Sequence, residues 1–164
     1  MKHKEVRGQL VTLRLLHKDH FADYVQMFSP TVRHVLHVPG VENELAYLHE
    51  RLSKVRQGTT LFYCVFDNQG DKLIGAIEIR DQVEHQGQLY CWLNEQFWGN
   101  GRYQEALSLA AQTYFDTTQE HFFTARIDVS NQRSYHALRK CGFAQDGLHN
   151  GPYGRQYKLI LRKK

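Results

Sequence analysis

Between residues 61 and 94 the chain carries three apolar runs divided only by short polar stretches, and no other feature restricts its fold so tightly. Residues 61–66 (Leu-Phe-Tyr-Cys-Val-Phe) are uninterrupted apolar sequence, 67–71 (Asp-Asn-Gln-Gly-Asp) are turn formers, and 72–80 form a second run. Short runs rich in β-branched and aromatic residues read as strands, and a five-residue polar turn makes these two an antiparallel hairpin. After a polar connection over 81–87, residues 88–94 return as a third strand, so the sequence predicts a meander. Such a sheet buries its apolar faces only against further layers.

The flanking segments supply them. Over 41–57, Leu45, Leu48, Leu52 and Val55 recur at helical spacing and Gly58 stops the helix. Phe21, Tyr24, Val25 and Phe28 line one face of an earlier helix that Ser29-Pro30 breaks, and residues 10–16 read as a first strand. Residues 103–115 form a helix through Ala106, Leu107, Ala110, Ala111, Tyr114 and Phe115. Because 122–129 is again strand-like, the order strand, helix, strand suggests a parallel crossover. A helix over 131–140 closes at Cys141-Gly142-Phe143, where glycine takes a left-handed cap, and 157–161 is a last strand. With no repeat or linker, residues 1–164 read as one α+β domain.

Hydrophobic residues at 41% and charged residues at 23% suit one packed core. No apolar stretch approaches the ~18 residues of a membrane span, and no apolar signal segment follows Met1, so the chain is expected in the cytoplasm without a membrane partner. Cys64, Cys91 and Cys141 lie far apart and read as reduced thiols. The spacings His17-x-x-His20 and His34-x-x-His37 pair imidazoles, but no cysteine or acidic cluster completes a ligand set, so no metal is expected. A net charge of +4 permits attraction to anions, either nucleic acid or the phosphates of a nucleotide. No basic-aromatic stripe supports the former.

The loop Gln96-Phe97-Trp98-Gly99-Asn100-Gly101-Arg102 joins the third meander strand to the long helix. Its glycines let backbone amides approach a ligand, and a helix N-terminus favours an anion, to which Arg102 adds charge. It lacks the Lys-Ser/Thr ending of a P-loop and the third glycine of a dinucleotide fingerprint. An ordinary glycine turn is the plainer alternative.

Gln96, Gly99 and Gly101 resemble the pyrophosphate loop of the GNAT acyltransferases. Asn131-Gln132-Arg133-Ser134, ending in Lys140-Cys141-Gly142-Phe143, is similar to that family's second signature. Trp98-Gly99-Asn100-Gly101 with Glu105-Ala106, and Thr12-Leu13-Arg14-Leu15, resemble the branch of RimJ- and RimL-like ribosomal-protein N-terminal acetyltransferases. The resemblance covers nearly the whole chain. It implies a mixed, mostly antiparallel sheet flanked by helices and splayed between its fourth and fifth strands, with acetyl-CoA in the gap as co-substrate.

It further implies that Leu93, Gln96, Trp98, Gly99, Asn100, Gly101, Arg102, Tyr103, Asn131 and Arg139 form the coenzyme site. Direct acetyl transfer to an amine needs orientation, a neutral amine and protonation of the thiolate. Ser134 is the candidate acid, because Arg139 stands where relatives often have tyrosine; the alternative is an ordinary early-helix serine. Glu78 is the candidate base, although alternation also allows it to pair with Arg80 across a polar surface. Asn131 reads equally as coenzyme ligand or N-cap. The acceptor is a peptide N-terminus or a small amine, shaped by residues 21–57 and the 81–87 loop, and a homodimer stays open. The alternatives are a noncatalytic acyl-CoA-binding protein and a basic nucleic-acid-binding module.

Overall fold

A computed structural model describes residues 4–38, 40–80 and 87–164. Strands β1 (Glu5–Arg7) and β2 (Val11–Leu15) precede helices α1 (Phe21–Met27), α2 (Pro30–Leu36) and α3 (Val41–Gln57). The meander follows as β3 (Thr60–Asp67), β4 (Lys72–Arg80) and β5 (Leu89–Leu93). Then come α4 (Arg102–Thr117), β6 (Phe122–Asp128), α5 (Gln132–Lys140), β7 (Ala144–Gly151) and β8 (Gly154–Arg162). Among the described residues no helix is long and apolar enough to cross a membrane.

Strands β1 to β5 pair antiparallel in chain order, and β6, β8 and β7 form a second antiparallel sheet. The expected parallel pairing of β5 with β6 is reduced to one bridge, Gln88 to Thr124, beside a hydrogen bond from the Thr124 N–H to the Gly87 carbonyl (2.9 Å). Past that bridge the sheets part, which is the splay implied between the fourth and fifth strands; here they are β5 and β6 because β1 precedes them. The far edge of β5 therefore presents backbone N–H and C=O groups to the gap.

All of β3 is buried, which is why its sequence is continuously apolar and not alternating. Phe62 meets Tyr24 of α1, which packs edge-on to Trp92, while α4 lays Ala106, Leu107, Ala110 and Tyr114 into the core. Small alanines at every fourth position let α4 approach β2, β3 and β4 closely. Glu105 anchors that approach, accepting the Leu10 and Val11 N–H groups at 2.8 and 3.0 Å.

Helix α3 and strand β4 match their expected bounds, and Gly58 caps α3 in the left-handed region (φ 78°). Ser29-Pro30 breaks α1 but also starts α2: Ser29 Oγ accepts the Val32 N–H (3.2 Å) and Pro30 fits the first helical position. Leu45 is 39% exposed, contrary to expectation. The buried stripe of α3 runs through Glu44, Leu48, Arg51, Leu52 and Val55, two of them charged residues that apolar periodicity passes over. Strands β1 and β7 were not expected; every residue of β7 but the last is exposed, so burial imposes no alternation on its sequence. Residues 81–86 lie outside the described residues, and with them most of the expected acceptor loop.

Candidate active site

At the carboxyl end of β5 the chain turns through residues 94–101. Asn94 Oδ1 accepts the Gln96 N–H (3.0 Å), its amide donates to the Met27 carbonyl (2.9 Å), and Trp98 Nε1 donates to the Leu93 carbonyl (2.8 Å). Gly99, Asn100 and Gly101 follow with φ of 84°, 57° and 82°. A left-handed backbone, not crowding, requires the glycines: a Cβ on Gly99 would meet nothing within 4 Å, and one on Gly101 would come no closer than 3.5 Å to Leu10. Gly101 caps α4 without a side-chain bond to the first turn, so that turn's amides are presented to the gap.

A cleft of about 350 Å³ opens here between β5, α4, β6 and α5. Leu93, Trp98, Gly99, Tyr103, Asn131 and Ser134 line it, joined by Gln104, Arg133, His136, Ala137 and Lys140. Five expected coenzyme residues lie outside that lining, Gly101 among them as the cap of α4. Gln96 and Asn100 are exposed outside the lining, and Arg139 is exposed on the opposite face of α5 from Ala137, two residues or about 200° away. Arg102 turns its guanidinium to buried Asp67 (3.2 and 3.5 Å), leaving only its backbone N–H for an anion. The cations in the lining are Lys140 and Arg133, the latter 4.5 Å above the Trp98 ring. Three- and four-residue spacing along α5 from Arg133 to Ala137 and Lys140 was the sequence signal for that face.

Asn131 caps α5, its Oδ1 accepting the Ser134 N–H (3.2 Å), and it also lines the cleft. Tyr103 and Cys91 line the cleft together. Burial raises the Tyr103 hydroxyl well above its ordinary value and pushes the Cys91 thiol up to about 12.

A second cavity of about 430 Å³ lies behind β5 and shares Leu36, Leu89, Cys91, Trp92 and Ile127 with the cleft. Tyr24, Phe28, Phe62, Tyr47 and Tyr90 supply aromatic walls. Glu78 lines it, 2% exposed, and is a buried hub instead of a residue on a polar surface. Its Oε1 accepts from the Tyr47 hydroxyl (3.0 Å) and Arg80 Nε (3.1 Å), and its Oε2 from Arg51 Nε (2.7 Å) and Thr60 Oγ1 (2.8 Å). Four donors fill both oxygens.

Glu44, which sequence reading passed over, lines the same cavity and pairs with Arg33 through both oxygens. Burial raises its pKa, and Arg33 offsets this only in part. Of the histidines, His17 Nδ1 accepts the Asp19 N–H and His20 Nδ1 the His17 N–H (3.1 and 3.2 Å), while His37 bonds Asp128 (2.8 Å) and stacks on Tyr153. Among the described residues no three His, Cys, Asp or Glu side chains converge as metal ligands.

Residues 11–144 match the family described as acetyltransferase (GNAT) domain. The structure is similar to apo RimL, a ribosomal-protein acetyltransferase, with a TM-score of 0.84 and 18% identity over 97% of this chain and 94% of that one. Similar too is the ribosomal-protein-S5-alanine acetyltransferase of Vibrio fischeri (TM-score 0.80, 16% identity, 96% of each chain). The microcin C7 self-immunity acetyltransferase MccE, solved with acetyl-CoA and AMP, gives 0.79 and 15% identity over 95% of this chain and 94% of that one. No curated protein sequence matches significantly.

Proposed function

Since the chain belongs to the acetyltransferase (GNAT) family and is an acetyl-CoA-dependent N-acetyltransferase, we propose that acetyl-CoA fills the cleft while a primary amine enters from the cavity behind β5. The wall common to both spaces carries this reading: Leu89, Cys91 and Trp92 border the two together, so a thioester from one side and an amine from the other meet there. The amides of residues 99–104 take the pyrophosphate, Arg133 neutralises it, and the free edge of β5 bonds the amide groups of the pantetheine arm.

The neutral amine attacks the thioester carbonyl; the C–N bond forms, the C–S bond breaks, the amine loses a proton and the thiolate gains one. Ser134, at the cleft wall on the first turn of α5, supplies the thiolate's proton. Glu78 and Glu44 are the carboxylates beside the amine, and Glu44 is better placed as base: among the described residues each of its oxygens accepts a single bond, from Arg33, and keeps a free lone pair. We take residues 1–164 to act as one cytoplasmic domain whose acceptor is a protein N-terminus or a small-molecule amine.

Calorimetric titration with acetyl-CoA, paired with thiol release, tests this. Gly101→Val places a β-branched residue at φ 82°, a strain of about 1–3 kcal/mol that the loop relieves by abandoning its anion-binding shape. Acetyl-CoA binding is expected to disappear while circular dichroism stays native; unchanged affinity would overturn the cleft assignment. In the same assays Ser134→Ala should lower kcat by about 10²-fold or less at unchanged coenzyme affinity. Equal kcat would remove Ser134 as the acid, and coenzyme binding with no thiol release from any amine would mark a noncatalytic acyl-CoA-binding protein.

A further inference from the structure

Among the described residues four charged side chains line the acceptor cavity, Glu44 and Glu78 with Arg80 and Arg126, and Arg33 and Arg51 pair with the two acids from outside that lining. Glu44 is neutralised by Arg33, whereas Glu78 is held by both Arg51 and Arg80 (2.6 and 3.1 Å). Among the described residues, the further acid within ion-pair reach of that hub is exposed Glu50, 3.8 Å from Arg51. Arg126, on β6 at the cavity rim, is exposed and has no hydrogen bond or ion pair among the described residues.

The strand register makes Arg126 more unusual. Directly across from it on β8 is Lys158, a second cation, which leans on Asp146 at 3.6 Å. Like charges at directly opposed strand positions destabilise a sheet, so local folding does not account for a lone guanidinium there. Arg80 meanwhile stacks 3.8 Å over the Tyr90 ring, leaving a flat aromatic and cationic wall inside the same space.

We propose, building on the acetyl-transfer reading, that this cavity selects amines that also carry an anionic group, carboxylate or phosphate, which Arg126 binds at the rim. Polycationic amines are rejected by the same charges. The Arg126 guanidinium also favours the neutral amine, the nucleophilic form, over the ammonium. An N–H donor to a carboxylate is the strong class of hydrogen bond, and a planar fork suits a two-oxygen acceptor.

The test measures binding first, so that it does not depend on turnover. L-Phenylalanine, phenethylamine, spermidine and the peptides Ser-Asp-Glu and Ser-Lys-Lys are titrated calorimetrically into the protein saturated with coenzyme A, with thiol release from acetyl-CoA followed in parallel. Phenylalanine should bind about tenfold or more tightly than carboxylate-free phenethylamine, or Ser-Asp-Glu than basic Ser-Lys-Lys. That preference should shrink in Arg126→Ala, reverse in Arg126→Glu, and weaken as salt is raised. The favoured arm separates a free amino acid from a peptide N-terminus as the source of the acid. Equal affinities, tighter spermidine binding, or a preference untouched in Arg126→Ala would overturn the proposal. Acid-selective binding without thiol release would leave it standing and count against acetyl transfer.

Discussion

His17 and His20 each stand with an imidazole nitrogen facing a backbone N–H, and for half-buried His20 that contact requires a neutral ring. His20 Nδ1 accepts the His17 N–H while its ring packs edge-on to Phe66 (5.5 Å). Burial lowers the His20 pKa, repulsion from His17 and Arg14 lowers it further, and Asp19 and Asp23 oppose this. The folded state therefore binds this proton less readily than the unfolded chain. The stability it contributes is complete above the ordinary histidine pKa of about 6.5 and is lost as pH falls through the folded value. Thermal melts should show a larger drop in Tm between pH 7.5 and 5 for the native chain than for His20→Asn, which keeps an acceptor but cannot titrate. Parallel drops would remove His20 as the source. Cys91, pushed up to about 12, carries almost no thiolate at neutral pH and is not a competing nucleophile for the acetyl group.

Where helix α3 crosses strands β3 and β4, Glu78 ties all three together through Arg51, Thr60 and Arg80. Removing its charge leaves two guanidinium groups unbalanced in a buried setting, at a cost of about 3–5 kcal/mol. Glu78→Gln should thus lower the urea midpoint sharply while the folded fraction keeps a near-native kcat. Glu44→Gln should behave the other way in kinetics: kcat/KM falls and loses its acidic limb, because the native limb reports a carboxylate that must be ionised to accept the amine's proton. Since burial raises the Glu44 pKa, activity of the native protein declines as pH drops through that raised value. A folded Glu78→Gln protein that had lost kcat, or a Glu44→Gln protein with an unaltered pH profile, would return the base role to Glu78.

On the scale of the whole molecule, two sheets joined at one bridge enclose two cavities, and the parts differ in how far the sequence revealed them. Strongly periodic or continuously apolar segments were legible: α3 and β4 within a residue, the glycine cap after α3, and the loop of residues 96–102 ahead of α4. Their local signals come from burial of many side chains on one element, each worth about 1.5–3 kcal/mol, and from backbone angles that only glycine meets cheaply. Strand β7 was not legible because an exposed edge strand is held by hydrogen bonds to β8, which place no demand on side-chain type. Nor did α2 announce itself, since Ser-Pro stops one helix and starts another with the same two residues.

Apart from the Glu78–Arg80 pair and the Asn131 cap, side-chain partners lay beyond sequence reading. Arg102 and Arg133 are equally basic, yet Asp67, 35 positions from Arg102, draws one guanidinium away from the cleft while Trp98, 35 positions from Arg133, holds the other at its wall. Glu78 and Glu44 are likewise the same residue type, distinguished only by how many donors the packed helices bring to each. Local spacing determined the strongly periodic elements, their order and the glycine loop ahead of α4, because those depend on neighbours along the chain. Which charges are spent within the protein and which are left for a ligand depends on distances between segments remote in sequence, and only the tertiary structure decided that.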